Sequence, residues 1–326
     1  MGFETEFILL KNTNPIEVVN HYGCCEASAS ASGTIESQVL EEIADALRMA
    51  DVELQMYHSE AAPGQYEIVT GPLLPLQAAD ALVHTRETIY NVARKHGLKA
   101  TLAPRIFLDS CTSLSSTCQY LFVHCHYSIF PGGSAAHVHI SMHPKSTPGA
   151  SAHANLNKIE ASFLAGVLEH LPGLTLLALP LIASYQRMVD GVWSGGTYVS
   201  WGTENKEVPV RLCNPQSPSS RNFELKTLDG TANPYLALAG VLGAGLNGIV
   251  ESKELNTQDC SGPSAALLGE EGRAKLGIKE RFPLNWEDAC SKFEESAIVD
   301  SIFGNEFKKK FLSVQKAWIS CFIFNI

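Results

Sequence analysis

The chain has 326 residues, 45% of them hydrophobic and 18% charged, enough to bury a substantial core and unlike a disordered composition. Its net charge of −10 argues against nucleic acid or an anionic membrane surface as the main partner, while it tolerates a site that gathers carboxylates around metal ions. Nine cysteines without a Cys-x-x-Cys pair, and no basic-then-apolar leader, point to a reduced, cytoplasmic setting.

Along the chain, Gly2 to Leu10 alternates and then turns apolar, which predicts a strand. Thr34 to Ala50 sets Ile35, Val39, Ile43 and Leu47 four apart and predicts an amphipathic helix with Thr34 as N-cap. Pro75 to His96 repeats the pattern, with Pro75 suited to a first turn and Gly97 to a stop. Lys158 to His170 reads as a helix closed by Pro172, and Pro234 to Val250 as a buried helix. The run Leu171 to Ala183, cut by Pro172 and Pro180, is too short to span a bilayer. Extended segments are expected at Gln65–Thr70, Ala100–Phe107, Ala135–Met142, Thr197–Trp201, Val208–Leu212 and Asn222–Leu228. Strand pairs set between helices without regular βαβ alternation predict an α+β fold.

Four short blocks carry chemistry. In Glu4-Thr5-Glu6, strand alternation sends both carboxylates to one face, as either a cation site or a pair of solvated edge residues. His58 to Ile68 places Glu60 and Glu67 on either side of Pro63-Gly64, a turn that can bring them together or simply form a surface loop. Ala135 to Ser141 puts His137, His139 and Ser141 on one face, a frequent metal or phosphate arrangement and also that of an ordinary half-exposed strand. Glu224 and Lys226 share a face ahead of Asn233-Pro234, and Arg187 and Arg211 supply cations suited to carboxylate and phosphate. Hard oxygen ligands with an imidazole fit Mg²⁺ or Mn²⁺ better than zinc. Two such ions with nearby cations are what phosphoryl transfer needs.

In this order, the blocks GFETEF, HSEAAPGQYEIVTGP, TRETIYNVARKHGLKAT, GSAAHVHIS, SYQRM, WGTENKEVPVR and FELKTLDGTANPYLALAGVLGAGLNGI resemble the type I glutamine synthetase superfamily, and most of all its FluG-type branch. The resemblance covers nearly the whole chain. It implies a curved antiparallel sheet backed by helices, the glutamine synthetase/guanido kinase-like catalytic domain, usually assembled into homo-oligomeric rings. It further implies an ATP-dependent ligase that joins glutamate to ammonia through a γ-glutamyl phosphate. By the same resemblance, Glu6, Glu60 and Glu67 hold one metal ion and Glu4, His137 and Glu224 the other. Arg187 grips the substrate carboxylate, with Gly133 and Lys226 beside the amino acid. His139, Ser141, Lys206 and Arg211 lie around the nucleotide, and Arg187 and Arg211 offset charge on the transferred group.

Four departures accompany the match. Trp193 stands where the family carries a glutamate that helps deprotonate ammonia, so a larger amine is the alternative acceptor. Lys206 and Lys226 replace arginines, without their bidentate reach, and Ala135-Ala136 replaces Gly-Met. The family's N-terminal β-grasp domain has no counterpart in the sequence, residues 108–129 read as an insertion, and the tail 318–326 is atypical. Because the FluG-type branch is associated with developmental signalling, a catalytically weak scaffold protein is the reading from a different class.

Overall fold

In a computed structural model, residues 1–22, 27–106, 133–145, 149–191 and 193–323 are described. The insertion read at 108–129 falls outside them. The strands are β1 (Gly2–Thr13), β2 (Ile16–Val18), β3 (Leu54–Ser59), β4 (Gln65–Thr70), β5 (Lys99–Thr101), β6 (Val138–Ile140), β7 (Trp201–Thr203), β8 (Val210–Cys213) and β9 (Asn222–Leu225). The longer helices are α1 (Ile35–Met49), α2 (Pro75–Lys95), α3 (Lys158–Ala178) and α5 (Pro234–Val250), and short α4 (Ile182–Tyr185) leads into Arg187. Beyond α5 come α6 (Gly269–Lys275), α7 (Trp286–Glu295), α8 (Ala297–Phe303) and α9 (Asn305–Ile323), the last reaching into the 318–326 tail.

One open sheet runs β3-β4-β1-β6-β9-β8-β7, with β2 and β5 also pairing with β1. Its pairings are antiparallel except β7 with β8, which are parallel. The α+β reading holds, with that parallel pair as a refinement.

Alternation along the strands divides the sheet into two faces. Phe3, Phe7, Tyr66, Ile68, Val138, Ile140, Val210, Leu212, Phe223 and Leu225 are buried in the hydrophobic core. They form two clusters, one with α1 and α2 under β1 and β4, the other with α3 and α5 under β6, β8 and β9. The opposite face collects the residues between them, including Glu4, Glu6, Glu67, His137, His139, Arg211 and Glu224.

Local signals set most helix starts. The Thr34 hydroxyl accepts from Ser37 N–H at 3.3 Å, and Asn233 accepts from Tyr235 and Leu236 N–H ahead of Pro234. A full capping box, Asn157 with Glu160, begins α3. That helix corrects the sequence reading, because it passes through Pro172 and ends at Ala178. Proline removes one hydrogen bond from a helix, but packing on α5 and α7 outweighs that local cost. At 21 residues α3 is long and apolar enough to cross a membrane, and its apolar surface is instead mostly buried inside the fold. Strand β3 was not anticipated, since Leu54–Ser59 is an edge strand in which Gln55, His58 and Ser59 interrupt the apolar positions without regular alternation.

Candidate active site

The polar face carries two adjoining clusters. In the first, β3 and β4 are joined by a turn in which Gly64 takes φ +66, a conformation glycine adopts without a side-chain clash. The turn closes with Glu60 N–H donating to Gln65 C=O at 2.8 Å, which brings Glu60 beside Glu67. His58 pairs in register with Glu67, and Glu67 with Glu6 on β1. His58 Nε2 lies 3.1 Å from Glu67, and its Nδ1 lies 3.6 Å from Glu60. Ligand atoms of His58, Glu60 and Glu67 fall within 4.8 Å of one another, as a metal ion would require.

Like charges directly opposed across strands destabilise a sheet unless something neutralises them. Burial, and then Glu67, push the Glu6 carboxyl up to about 8. Burial likewise raises Glu67 to about 7, against the pull of His58. The hydrogen bond to Glu67 raises His58 to about 9 despite its partial burial. Glu6 is further held by Gln65 Nε2 at 3.1 Å and by Ala135 N–H at 2.9 Å.

The second cluster spans β1, β6, β9 and β8. Glu224 pairs in register with His139 on one side and Arg211 on the other. Its carboxylate is 1% exposed and meets Lys226 Nζ at 2.6 Å, Arg211 Nη1 at 2.9 Å and His137 Nδ1 at 3.3 Å. Glu4 receives His137 Nδ1 and His139 Nε2, each at 2.9 Å. Burial alone would raise both carboxyls, but Lys226 at Glu224 and the two histidines at Glu4 hold them below the ordinary range. Burial and Lys226 lower His137 to about 4, leaving it neutral near pH 7. Burial opposes the charge on His139, yet Cys213 and Glu4 raise it to about 11.

Arg187 is 2% exposed and stands behind this cluster, donating to His137 Nε2 at 3.0 Å and to Lys226 C=O at 3.2 Å. Gly133 lies against it: a Cβ there would sit 3.4 Å from Arg187 Cδ and 1.8 Å from Pro104 O, so only glycine fits. A cleft of about 680 Å³ opens between the clusters, lined by Glu4, His58, Glu67, His139, Ser141 and Arg211 among others.

Most of the expected site residues lie on one face of the sheet, in a grouping of their own. Glu60 and Glu67 converge with His58, while Glu6 faces them from β1 and also comes within 3.8 Å of His137. His137 contacts both Glu4, at 2.9 Å, and Glu224, at 3.3 Å, and His139, expected near the nucleotide, joins Glu4 and Glu224 in a second set of convergent ligand atoms. Ser141 lines the cleft and contacts His143 at 3.0 Å. Lys206 is exposed, its ammonium 5.3 Å over the Trp193 ring.

Two site residues were missed. His58 sat inside a quoted block, and its register opposite Glu67 is visible only once β3 is known. Asp229, fully buried near Arg187, looks like a turn residue in sequence.

A donor set of buried carboxylates with imidazoles, more acidic than its own cations neutralise at the first cluster, fits divalent cations of the hard class. Residues 1–322 match the family model described as "Glutamine synthetase, catalytic domain". The chain is 35% identical to Protein fluG of Emericella nidulans over 97% of its own length and 33% of that protein's. It is 31% identical to Gamma-glutamylpolyamine synthetase GlnA3 of Streptomyces coelicolor over 82% of its length and 53% of that protein's. It thus spans a third to about half of these relatives. A solved structure titled "GmaS/ADP complex-Conformation 1" shares the fold, with a TM-score of 0.77 at 24% identity, covering all of this chain and 70% of that one.

Proposed function

Since the chain belongs to the glutamine synthetase catalytic-domain family, a family of ligases, we propose that it forms γ-glutamyl amides from glutamate, ATP and an amine through a γ-glutamyl phosphate. The observation that carries this reading is the pair of carboxylate–imidazole clusters facing one cleft. Glu6, Glu60 and Glu67, with His58, hold one divalent ion, Mg²⁺ or Mn²⁺, and Glu4, His137 and Glu224 the other. When bound, the ions neutralise charge on the phosphoryl group in transfer.

The chain's own residues orient the reactants. Arg187 binds the substrate carboxylate beside the glycine-lined wall at Gly133. Arg211, with His139, Ser141 and Lys206, faces the phosphates. The glutamate γ-carboxylate oxygen attacks the terminal phosphorus as ADP leaves. The amine nitrogen then attacks the acyl carbon, phosphate leaves, and the amine gives up a proton.

The acceptor is decided at residues 190–197. Trp193 has φ +58, and its N–H donates to Glu207 at 2.7 Å. The other Glu207 oxygen takes Gly191 N–H at 3.0 Å, so both of its oxygens are engaged by backbone. Ser194 ties the loop to Arg187 C=O at 3.0 Å. A half-exposed indole in place of a carboxylate favours an organic amine over ammonia: it offers apolar surface in place of an ammonium-binding charge, and its ring already carries the Lys206 ammonium.

Glutamate-dependent phosphate release, measured with ammonia beside a panel of primary amines, tests the reading. Release is expected with organic amines and weakly with ammonia, and Trp193→Glu shifts the ratio toward ammonia. No release with any acceptor, alongside ATP and Mn²⁺ binding, would instead assign the scaffold role.

A further inference from the structure

Behind Arg187 lies a group of buried polar atoms that the ligase reading does not use. Asp229 is fully buried in the turn after β9. Its Oδ1 accepts from Thr231 N–H at 2.8 Å and from the Thr231 hydroxyl at 2.5 Å, its Oδ2 makes no close hydrogen bond, and burial raises the carboxyl against the pull of the neighbouring Ser184 and Thr231 hydroxyls. Arg187 Nε, Arg86 Nε and Nη2, and the Tyr185 hydroxyl are also buried without partners. Arg187 Nη1 donates to Lys226 C=O and Arg86 Nη1 to Ala232 C=O, so both guanidinium groups reach the turn that carries Asp229, and the charge of Asp229 acts on both and on Tyr185. Leaving any one of them unsatisfied disfavours the folded state, because a buried polar atom has given up its hydrogen bonds to water.

We infer that Asp229 is a positioning residue for Arg187: its carboxylate fixes the Nε edge of the guanidinium from behind, through a water shared with Arg86 and Tyr185. Such a water accepts from the two guanidinium groups and donates to Asp229 Oδ2 and the tyrosine oxygen, which gives it four partners. The opposite edge of Arg187 is already fixed by Lys226 C=O and His137 Nε2. With both edges held, the remaining N–H groups keep the one orientation that meets a carboxylate in bidentate fashion. A second arginine, Arg86, with its Nη1 on Ala232 C=O at 2.8 Å, keeps Asp229 from neutralising Arg187 completely.

The inference rests on Arg187 as the glutamate-binding group, and the experiment separates the two. Calorimetry with Mn²⁺ and a non-hydrolysable ATP analogue gives the Kd for glutamate and for the analogue in wild type, Asp229→Asn and Tyr185→Phe. Asp229→Asn is expected to weaken glutamate binding about tenfold, the loss of one charge-assisted contact. Analogue binding stays within about twofold, and in steady state KM for glutamate rises far more than kcat falls. Tyr185→Phe, which removes one partner of the water and no charge, weakens glutamate about threefold and decides the matter if Asp229→Asn does not fold. Unchanged glutamate binding, or equal losses for glutamate and analogue, overturns the positioning role while leaving the ligase reading intact. A wild type that binds no glutamate overturns both.

Discussion

The two clusters on the polar face are built from the same residue types and solve opposite electrostatic problems. At β3, β4 and β1, the carboxylates of Glu6, Glu60 and Glu67 face one histidine, and burial with mutual repulsion pushes Glu6 to about 8 and Glu67 to about 7. At β6, β9 and β8, the carboxylate of Glu224 is already enclosed by Lys226, Arg211 and His137, and its pKa is held down. The first cluster is short of positive charge, so an added divalent cation relieves strain stored in the folded chain. The second is near balance, so a cation there competes with the protein's own Lys226 and His139. The difference teaches that carboxylate count alone does not measure a site's appetite for metal; the neighbouring cations do.

That contrast breaks most sharply at Glu67. Glu67→Gln removes one of the carboxylates whose unneutralised charge draws a cation into the first cluster. Turnover is expected to fall about 10²–10³-fold, the loss of several kcal/mol of charge stabilisation. Phosphate release at saturating substrates, together with Mn²⁺ titration by calorimetry, reads the effect. Turnover within about threefold of wild type would show that the first cluster has no part in the reaction.

Glu224 provides the opposite outcome. Glu224→Gln leaves Lys226, itself 4% exposed, without its anion and Arg211 with only Glu204 at 3.7 Å, and an uncompensated buried charge is strongly destabilising. Urea unfolding of the metal-free protein is expected to show a loss of about 3 kcal/mol. A neutral result would mean that water, not Glu224, neutralises Lys226, and the second cluster would no longer differ from the first.

Much of this arrangement was legible beforehand. Period-2 alternation placed Glu4 with Glu6 and His137 with His139, and Thr34, Pro75 and Asn233-Pro234 placed the starts of α1, α2 and α5, because each signal lies within a few residues. Register is a different matter. That His58 faces Glu67, and that His139 lies between Glu4 and Glu224, depends on how separate strands align, which no local pattern encodes. Pro172 misled for a related reason: the local preference was real, and packing on both sides of α3 overrode it. Asp229 stayed hidden because its importance comes from three distant side chains, Arg86, Tyr185 and Arg187, that only the fold assembles.

The smallest effect isolates Glu6. Its pKa of about 8 in the folded chain lies above that of an unfolded glutamate, so the folded state binds the extra proton over that interval. Stability from this group is fully present below the unfolded pKa, and it is lost as pH rises through about 8. Glu6→Gln removes that loss and also relieves Glu67, raised to about 7 in the same interval, whereas the declines caused by His58, raised to about 9, and His139, raised to about 11, remain in both proteins and cancel in the comparison. Metal-free Glu6→Gln should therefore match wild type near pH 5 and become more stable by about 1–2 kcal/mol at pH 8, levelling off beyond. Saturating Mn²⁺ should reverse the order at pH 8, because the ion stabilises only the chain that binds it. Urea midpoints for both proteins across this range, with chelator and with Mn²⁺, provide the measurement. If the two metal-free curves run parallel from pH 5 to 8, Glu6 is not short of positive charge, and the asymmetry between the clusters must lie with Glu60 and Glu67 alone.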